Sequence, residues 1–257
     1  MRIAVLSPGE MGSAVGQALT AVGHEVGWLP AGRSRATAER AERAGLAAWA
    51  SLDGCELVVS ICPPAAALET ARSVAGVAGF AGTYLDANAI SPTTAEQVAA
   101  VVTAGGAAYV DGGIIGPPPV TGGTTRLYLS GAVARSVAEA FDGSLVSAVV
   151  VPDSGPYAAS AVKMTYAAWT KISAALLLSA HETAVSLGVD EVLLAEWAAS
   201  QPQLADRLAA AGDSATRKGW RWEDEMRQIA ETFAMVGQPE GFGAAGAEVF
   251  SRFPRAR

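Results

Sequence analysis

The segment Ser154–Leu178 reads SGPYAASAVKMTYAAWTKISAALLL and carries only two charges, Lys163 and Lys171. On a helix, Ser160, Lys163, Tyr166 and Thr170 fall at i−3, i, i+3 and i+7, so these polar groups make one stripe while alanines and leucines pack elsewhere. A lysine removed from water has its charged form destabilised, which brings its proton exchange towards neutral pH and suits a general acid or base. The competing reading is a lysine whose stem packs and whose ammonium reaches solvent. Lys171 lies about 80° round the helix from Lys163 and about 12 Å along it, outside the stripe. His181 and Glu182 are sequence neighbours, which do not face each other on a helix. Asp111 reads either as a catalytic carboxylate or as a residue that ends a strand, and the second reading is favoured. Cys55 and Cys62 sit in apolar surroundings as reduced, buried thiols, and neither His24 nor His181 stands at metal-ligand spacing, so no metal is expected.

A second cluster opens the chain. The hexapeptide SPGEMG, Ser7 to Gly12, follows the apolar run Ile3–Leu6 and falls one glycine short of the G-x-G-x-x-G dinucleotide fingerprint, with Ser7 in the first place. A strand before it and a helix after it supply the required context. Gly9 permits close approach of a pyrophosphate, Gly12 permits helix-on-strand packing, and Glu10 and Met11 begin a helix whose N-terminus favours anions. An NAD site would place an acid about 20 residues further on, to hold the ribose 2′-hydroxyl. That region reads WLPAGRSRAT, with no acid between Glu25 and Glu39. Arg33 and Ser34, followed by Arg35, offer a cation and a hydroxyl to a 2′-phosphate, chemistry that favours NADP over NAD. The plainer reading of the same arginine is a solvated loop residue at a helix start.

Strands are expected at 2–6, 25–29, 57–61, 83–87, 107–114, 126–129 and 146–151, alternating with helices at 11–22, 35–44, 65–77, 92–104 and 133–141. This alternation predicts an α/β fold, a Rossmann-type doubly wound sheet. A proline- and glycine-free stretch from Tyr157 to Leu187 predicts a long central helix, followed by shorter helices punctuated by Gly188, Pro202, Gly212, Gly219 and Pro239. The expected domains are 1–152, binding NAD(P), and 153–257, an all-α substrate and dimerisation domain. With 257 residues, 51% of them hydrophobic, the chain can bury a large core, and a net charge of −7 argues against a nucleic-acid partner. No apolar run has membrane-spanning length and no signal peptide is visible, so a cytoplasmic protein without a membrane partner is expected. The small helical domain cannot bury its long apolar helix alone, which predicts a homodimer through that domain.

Taken in order, these blocks resemble the β-hydroxyacid dehydrogenase superfamily, which includes 6-phosphogluconate dehydrogenase and the imine reductases, and within it the small phosphogluconate dehydrogenase-like branch. SPGEMGSAVG stands at the family's glycine loop and GRS, Gly32 to Ser34, resembles the NRT element of NADP-preferring members. SICPP, Ser60 to Pro64, resembles the lip along the cofactor and implicates Cys62 and Pro63. LDANAISP, Leu85 to Pro92, is similar to VDMSTISP, with Asn88 and Ala89 replacing the hydroxyl pair. VDGGIIG, Val110 to Gly116, takes the place of the substrate block DAPVSGG, implicating Gly112, Gly113 and Ile115. AASAVKMTYAAWTK resembles the helix with the catalytic lysine, matched by Lys163.

The departures concern the substrate. Ile115 replaces the family's substrate-binding serine, and Ala167 replaces the asparagine four residues after the lysine, leaving Tyr166 or Thr170 to bond the reacting oxygen. A second lysine expected near the C-terminus falls in GWRWEDEM, which offers Trp220, Trp222 and Glu223. Trp169, Trp220 and Trp222 read equally as an aromatic pocket wall or as helix-packing core. The resemblance implies an NADP-dependent oxidoreductase moving a hydride between the nicotinamide and a small hydroxy-acid or carbonyl substrate, with Lys163 as general acid or base. Alternatives are an NADPH-dependent imine reductase and a non-catalytic NADP-binding sensor.

Overall fold

The computed structural model describes residues 1–77, 80–152 and 155–253. Its sheet contains β1 (Arg2–Val5), β2 (Glu25–Trp28), β3 (Ala47–Ala48), β4 (Leu57–Ser60), β5 (Thr83–Asp86), β6 (Ala108–Ile115), β7 (Thr125–Ser130) and β8 (Val146–Val150). The spatial order is β3-β2-β1-β4-β5-β6-β7-β8, and every neighbouring pair is parallel except β6 with β7. Strands such as Leu57-Val58-Val59 are apolar at consecutive positions because helices cover both faces of the sheet. One core gathers Ile3, Val5, Leu19, Leu57, Val59, Leu85, Val110 and Leu129; the other gathers Ala4, Leu6, Val58, Tyr84, Ile90, Val98 and Val102. Strand order reverses between β1 and β4, the switch point at which such sheets leave a crevice at their carboxyl ends.

The sheet's helices are α1 (Glu10–Ala21), α2 (Arg35–Arg43), α3 (Ala67–Ala75, entered through a 3₁₀ turn at Pro64–Ala66), α4 (Pro92–Ala104) and α5 (Ala134–Glu139). Ser34 and Ser91 cap α2 and α4 by accepting from the amides of Thr37 and Thr94, satisfying donors that a helix start leaves free. All seven expected strands are present. β3 is an unforeseen eighth, two exposed alanines on the sheet edge, too short to carry a period-two signal.

Two compact units emerge, Met1–Lys163 and Met164–Arg257. The expected domain boundary after residue 152 adjoins Asp153 and Ser154, which lie outside the described residues. The long helix α6 runs Ala158–Leu187, and α7 (Asp190–Ser200), α8 (Leu204–Met235) and α9 (Gly241–Ser251) follow. Gly188, Pro202 and Pro239 stand at breaks, whereas Gly212 and Gly219 were wrongly expected to punctuate: both lie inside the 32-residue α8. A helical glycine costs only about 1 kcal/mol relative to alanine, which tertiary packing outweighs. At Gly219 the missing side chain is used, since a Cβ there would stand 2.7 Å from Cβ of Phe253. Among the described residues no helix is long and apolar enough to cross a membrane.

The second unit is fastened by an ion pair. Lys171 Nζ donates to Glu225 Oε1 at 2.9 Å with both side chains largely buried, and the ammonium lies 5.5 Å from the Trp222 ring, whose edge meets Phe250. Lys171 therefore ties α6 to α8. Lys171→Ala, by stranding a buried carboxylate, is expected to cost about 3 kcal/mol in chemical denaturation. The double replacement Lys171→Met with Glu225→Leu should recover most of that loss; a double variant as unstable as the single would contradict this assignment.

Candidate active site

The carboxyl end of β1 turns directly into α1. The Gly9 amide donates to the Ser7 carbonyl at 2.7 Å and the Gly9 carbonyl accepts from the Ser13 amide at 3.0 Å, so a tight turn forms with serine in the first position. Gly9 is the N-cap of α1 and brings no side chain to the helix start. A Cβ on Gly12 would run into the Ser7 carbonyl oxygen, whereas one on Gly9 would find only that oxygen, at 3.9 Å. Gly12 is thus fixed by packing and Gly9 by an open face. Pro8 is gripped from the next helix: Arg40 Nε donates to its carbonyl at 3.4 Å, while Arg40 Nη2 donates to Thr37 Oγ1 at 3.1 Å. Arg33 is exposed after a turn closed by its amide on the Pro30 carbonyl, and Ser34 spends its hydroxyl on the cap of α2.

The ends of β4 and β5 are stitched together by Asn88. Its Oδ1 accepts from the Cys62 amide at 2.6 Å, its Nδ2 donates to Ser60 Oγ at 3.1 Å, and its own amide donates to Asp86 Oδ1 at 3.0 Å. Asn88 is 2% exposed, so its amide is spent on fixing the Cys62–Pro63 lip. Cys62 is half-buried rather than fully buried as expected, because it sits on this lip; Cys55 is buried, and both are free thiols. Burial pushes the Cys62 thiol above its ordinary value, against hydrogen bonds with Thr70 and Ser60 that lower it, so the group is a neutral thiol.

On β6, Gly112 faces the Asp86 carbonyl and the side chains of Leu85 and Leu127. Gly113 points to the other face, where an added Cβ would meet the Ala159 carbonyl at 2.6 Å and Lys163 Cβ at 2.8 Å. Glycine at this position lets the first turns of α6 lie on the strand and sets the Lys163 stem over it. Ile115 is buried opposite Arg126 of β7. Asp111 corrects the expectation that it ends a strand: it stands mid-β6, fully buried, because its carboxylate is a fastening point. Asp111 Oδ2 accepts from the Ser160 amide at 2.8 Å and from Ser130 Oγ at 3.1 Å, and Oδ1 accepts from Ser160 Oγ at 2.5 Å.

The stripe on α6 therefore changes character along its length. Ser160 is buried on Asp111, Lys163 is half-buried at the end of the first unit, and Tyr166 and Thr170 are exposed in the second. Thr170 Oγ1 donates to the Tyr166 and Ala167 carbonyls of its own helix. Trp220 is half-buried, 5.0 Å from the Arg221 guanidinium. In the second unit, a cavity of about 800 Å³ is lined by Trp169, Leu177, Trp197, Arg207 and Trp222 among others. Sequence reasoning missed Asp86, Ser60, Ser130 and Arg40. For Asp86 and Ser60 the available signal was a polar residue closing an apolar strand.

A conserved protein of unknown function, whose structure is noted for similarity to 3-hydroxyacid dehydrogenases, matches with 26% identity and a TM-score of 0.73, over 98% of this chain and 96% of its own. The chain has the fold of the 3-hydroxyacid dehydrogenase-like proteins. This agrees with the resemblance carried by its sequence blocks and with the α/β class read from them. Mycobacterium tuberculosis 3-hydroxyisobutyrate dehydrogenase, solved with L-serine, shares that fold at 19% identity and a TM-score of 0.71, over 98% and 93% of the two chains. The reductive aminase of Aspergillus terreus, solved with NADPH4, cyclohexanone and allyl amine, does so at 20% and 0.56, over 98% and 92%. The family model for a domain of unknown function, DUF1932, matches residues 184–253. A search of curated protein sequences found no match.

The loop geometry has a direct consequence. Gly12→Ala forces the new methyl against the Ser7 carbonyl, and should destabilise the chain by about 1–3 kcal/mol. Thermal unfolding of that variant, measured beside Gly9→Ala, checks this; equal and small losses would contradict the packing assigned to Gly12.

Proposed function

We propose that the chain is an oxidoreductase using NADP, with Lys163 as general acid or base toward a small hydroxy-acid or carbonyl substrate. The observation that carries this reading is the placement of Gly9's open face, the Asn88-fixed lip and the Lys163 stem on one unit, at the carboxyl ends of β1, β4, β5 and β6. The residues fit a dinucleotide: Ser7, Gly9, Glu10, Met11 and Gly12 form a strand-to-helix turn, and the amides at the start of α1 favour a pyrophosphate. Cys62 and Pro63 would flank it along the lip, whereas Asn88, expected to touch the cofactor, is buried behind the lip and acts by holding it. Arg33 is exposed beyond the end of β2, where an adenosine ribose 2′-phosphate is read, and Ser34 stands beside it. Once bound, such a cofactor supplies or accepts a hydride.

The protein's part is placement and proton transfer. Lys163 Nζ takes the proton of a substrate hydroxyl during oxidation and returns one to a carbonyl oxygen during reduction. Gly113 and Ile115 share one face of β6 and are proposed as the floor of the substrate site, with no hydroxyl at position 115 to hold a carboxylate; Gly112, expected beside them, faces Leu85 and Leu127 on the opposite side. Tyr166, Thr170 and Trp220 belong to the helical unit and are proposed, within that unit, as its substrate-facing residues. A lysine retained on α6 favours hydroxy-acid chemistry over imine reduction, whose family members usually depart from lysine. A homodimer through the helical unit is favoured by exposed Trp169, Leu176, Leu187 and Val192, whose burial against a second copy would remove a large apolar surface from water.

The test is turnover of NADPH and NADP with panels of carbonyl acids, hydroxy acids, aldehydes and cyclic imines. Lys163→Ala should reduce turnover by at least about 100-fold with cofactor affinity kept, and Arg33→Ala should weaken NADPH much more than NADH. Tight NADPH binding with no turnover on any panel would favour the non-catalytic sensor. Light scattering should give the mass of two chains, and a monomeric mass at micromolar concentration would overturn the dimer.

A further inference from the structure

Two buried carboxyl groups stand abreast in the floor of the first unit. β5 and β6 are parallel neighbours whose register pairs Tyr84 with Tyr109 and Asp86 with Asp111. Residues two apart on a strand share a face, so two phenols and two carboxyls line one side of the sheet, with the carboxyls nearer its carboxyl end. Neighbouring strands lie about 4.8 Å apart, and Asp86 and Asp111 are 1% and 0% exposed. Two full negative charges so close in a water-poor interior repel strongly; a pair holding one proton does not.

The donors decide where that proton resides. Asp111 accepts on both oxygens, from the Ser160 amide and Ser160 Oγ, and also from Ser130 Oγ, whose single proton is shared with the Pro156 carbonyl at 3.1 Å. Asp86 draws its donors from Asn88 alone, whose backbone amide donates to Oδ1, and its buried Oδ2 has no hydrogen-bond partner among the described residues. The negative charge therefore belongs on Asp111 and the proton on Asp86. Each carboxyl also holds one arm of the candidate site. Asp86 holds Asn88, which holds the Cys62 amide and Ser60, while Asp111 holds Ser160, one turn ahead of Lys163.

We propose that Asp86 and Asp111 share a single proton, carried by Asp86, and act as a positioning pair that sets the Cys62 lip and the Lys163 turn within one unit. Burial, the largest influence, raises the Asp86 carboxyl to about 7, the Asn88 bond opposes this and the Asp111 charge adds to it. Burial raises Asp111 as well, against the lowering bonds from Ser160 and Ser130. The groups facing the pair are Tyr84 on β5, Tyr109 on β6, Cys62 on the lip with Arg33 acting on it, Tyr157 before α6 with Glu96 of α4 beyond it, and Lys163 over Gly113. The two phenols are held neutral by burial and by these carboxyls.

The proton has a signed effect on stability. Unfolded, Asp86 titrates in the ordinary carboxylate range; folded, it keeps its proton to about 7. The stability this proton contributes is full below the ordinary range and is lost as the pH rises towards about 7. Asparagine mimics the protonated carboxyl and has nothing to lose. The Tm of Asp86→Asn is therefore expected to rise relative to wild type by several degrees between about pH 5 and 8, and infrared spectra near pH 6, where ordinary carboxyls are ionised, should show a protonated carboxyl carbonyl band in wild type that is absent from the variant. Asp111→Asn should lower Tm across the whole range, and Ser160→Ala gives the milder form of that loss should Asp111→Asn fail to fold. The consequence for the lip rests on the proposed cofactor: Asp86→Ala should weaken NADPH binding several-fold and Asp86→Asn should restore it. If wild type binds no NADPH, the cofactor reading fails while the infrared and pH arms still decide the pair. A flat Tm difference across pH, no carbonyl band, or Asp86→Asn behaving like Asp86→Ala in both arms would overturn the shared proton.

Discussion

The candidate site depends on one buried carboxylate. Asp111 lies in the middle of β6 without solvent, and it is stable there because α6 arrives with its first turn turned towards it: an amide and a hydroxyl from Ser160, joined by Ser130 from β7. The start of a helix leaves amides without partners, and a buried carboxylate needs donors. Each deficit answers the other. The Ala159 amide is met in the same way by Ser130 Oγ at 3.0 Å, so two consecutive first-turn amides are caught by side chains of the sheet. Gly113 lets the helix come close enough for this to happen, and the position of Lys163 follows one turn later.

The same economy shapes the cofactor side of the unit. Four strand ends must present loops at one edge without leaving their polar groups unpaired. Asn88 resolves this for β4 and β5 by bonding to the backbone and hydroxyl of one and resting its own amide on the carboxyl of the other. The glycine loop resolves it for β1 by turning on its own carbonyl, with Arg40 closing over Pro8. Both arrangements leave open backbone beside Gly9, which is where a phosphate-bearing ligand would be read by dipole and amide.

Much of this was legible in the sequence, for identifiable reasons. The parallel sheet follows from short apolar runs alternating with helical stretches, and each strand from β4 to β6 was found because burial on both faces writes an unbroken signal. The glycine loop and Lys163 were visible as departures from background, a near-fingerprint and one of two lysines in an otherwise uncharged stretch. The roles of Asp111 and Asp86 were not, since a carboxyl at a strand end and one in a buried pair look alike until register sets them side by side. The α8 helix was misjudged for the opposite reason: Gly212 and Gly219 read locally as breaks, yet each costs a helix only about 1 kcal/mol, and at Gly219 the missing side chain makes room for Phe253.

The candidate site requires the first turn of α6 to be pinned rather than frayed, and amide hydrogen exchange of Ala159 and Ser160 measures this directly. First-turn amides of an uncapped helix exchange quickly, as fraying and solvent allow. If Asp111 and Ser130 hold them, both should exchange as slowly as the amides of β6 and only through opening of the whole unit. Exchange of these two amides at the rate of an unprotected helix start would contradict it.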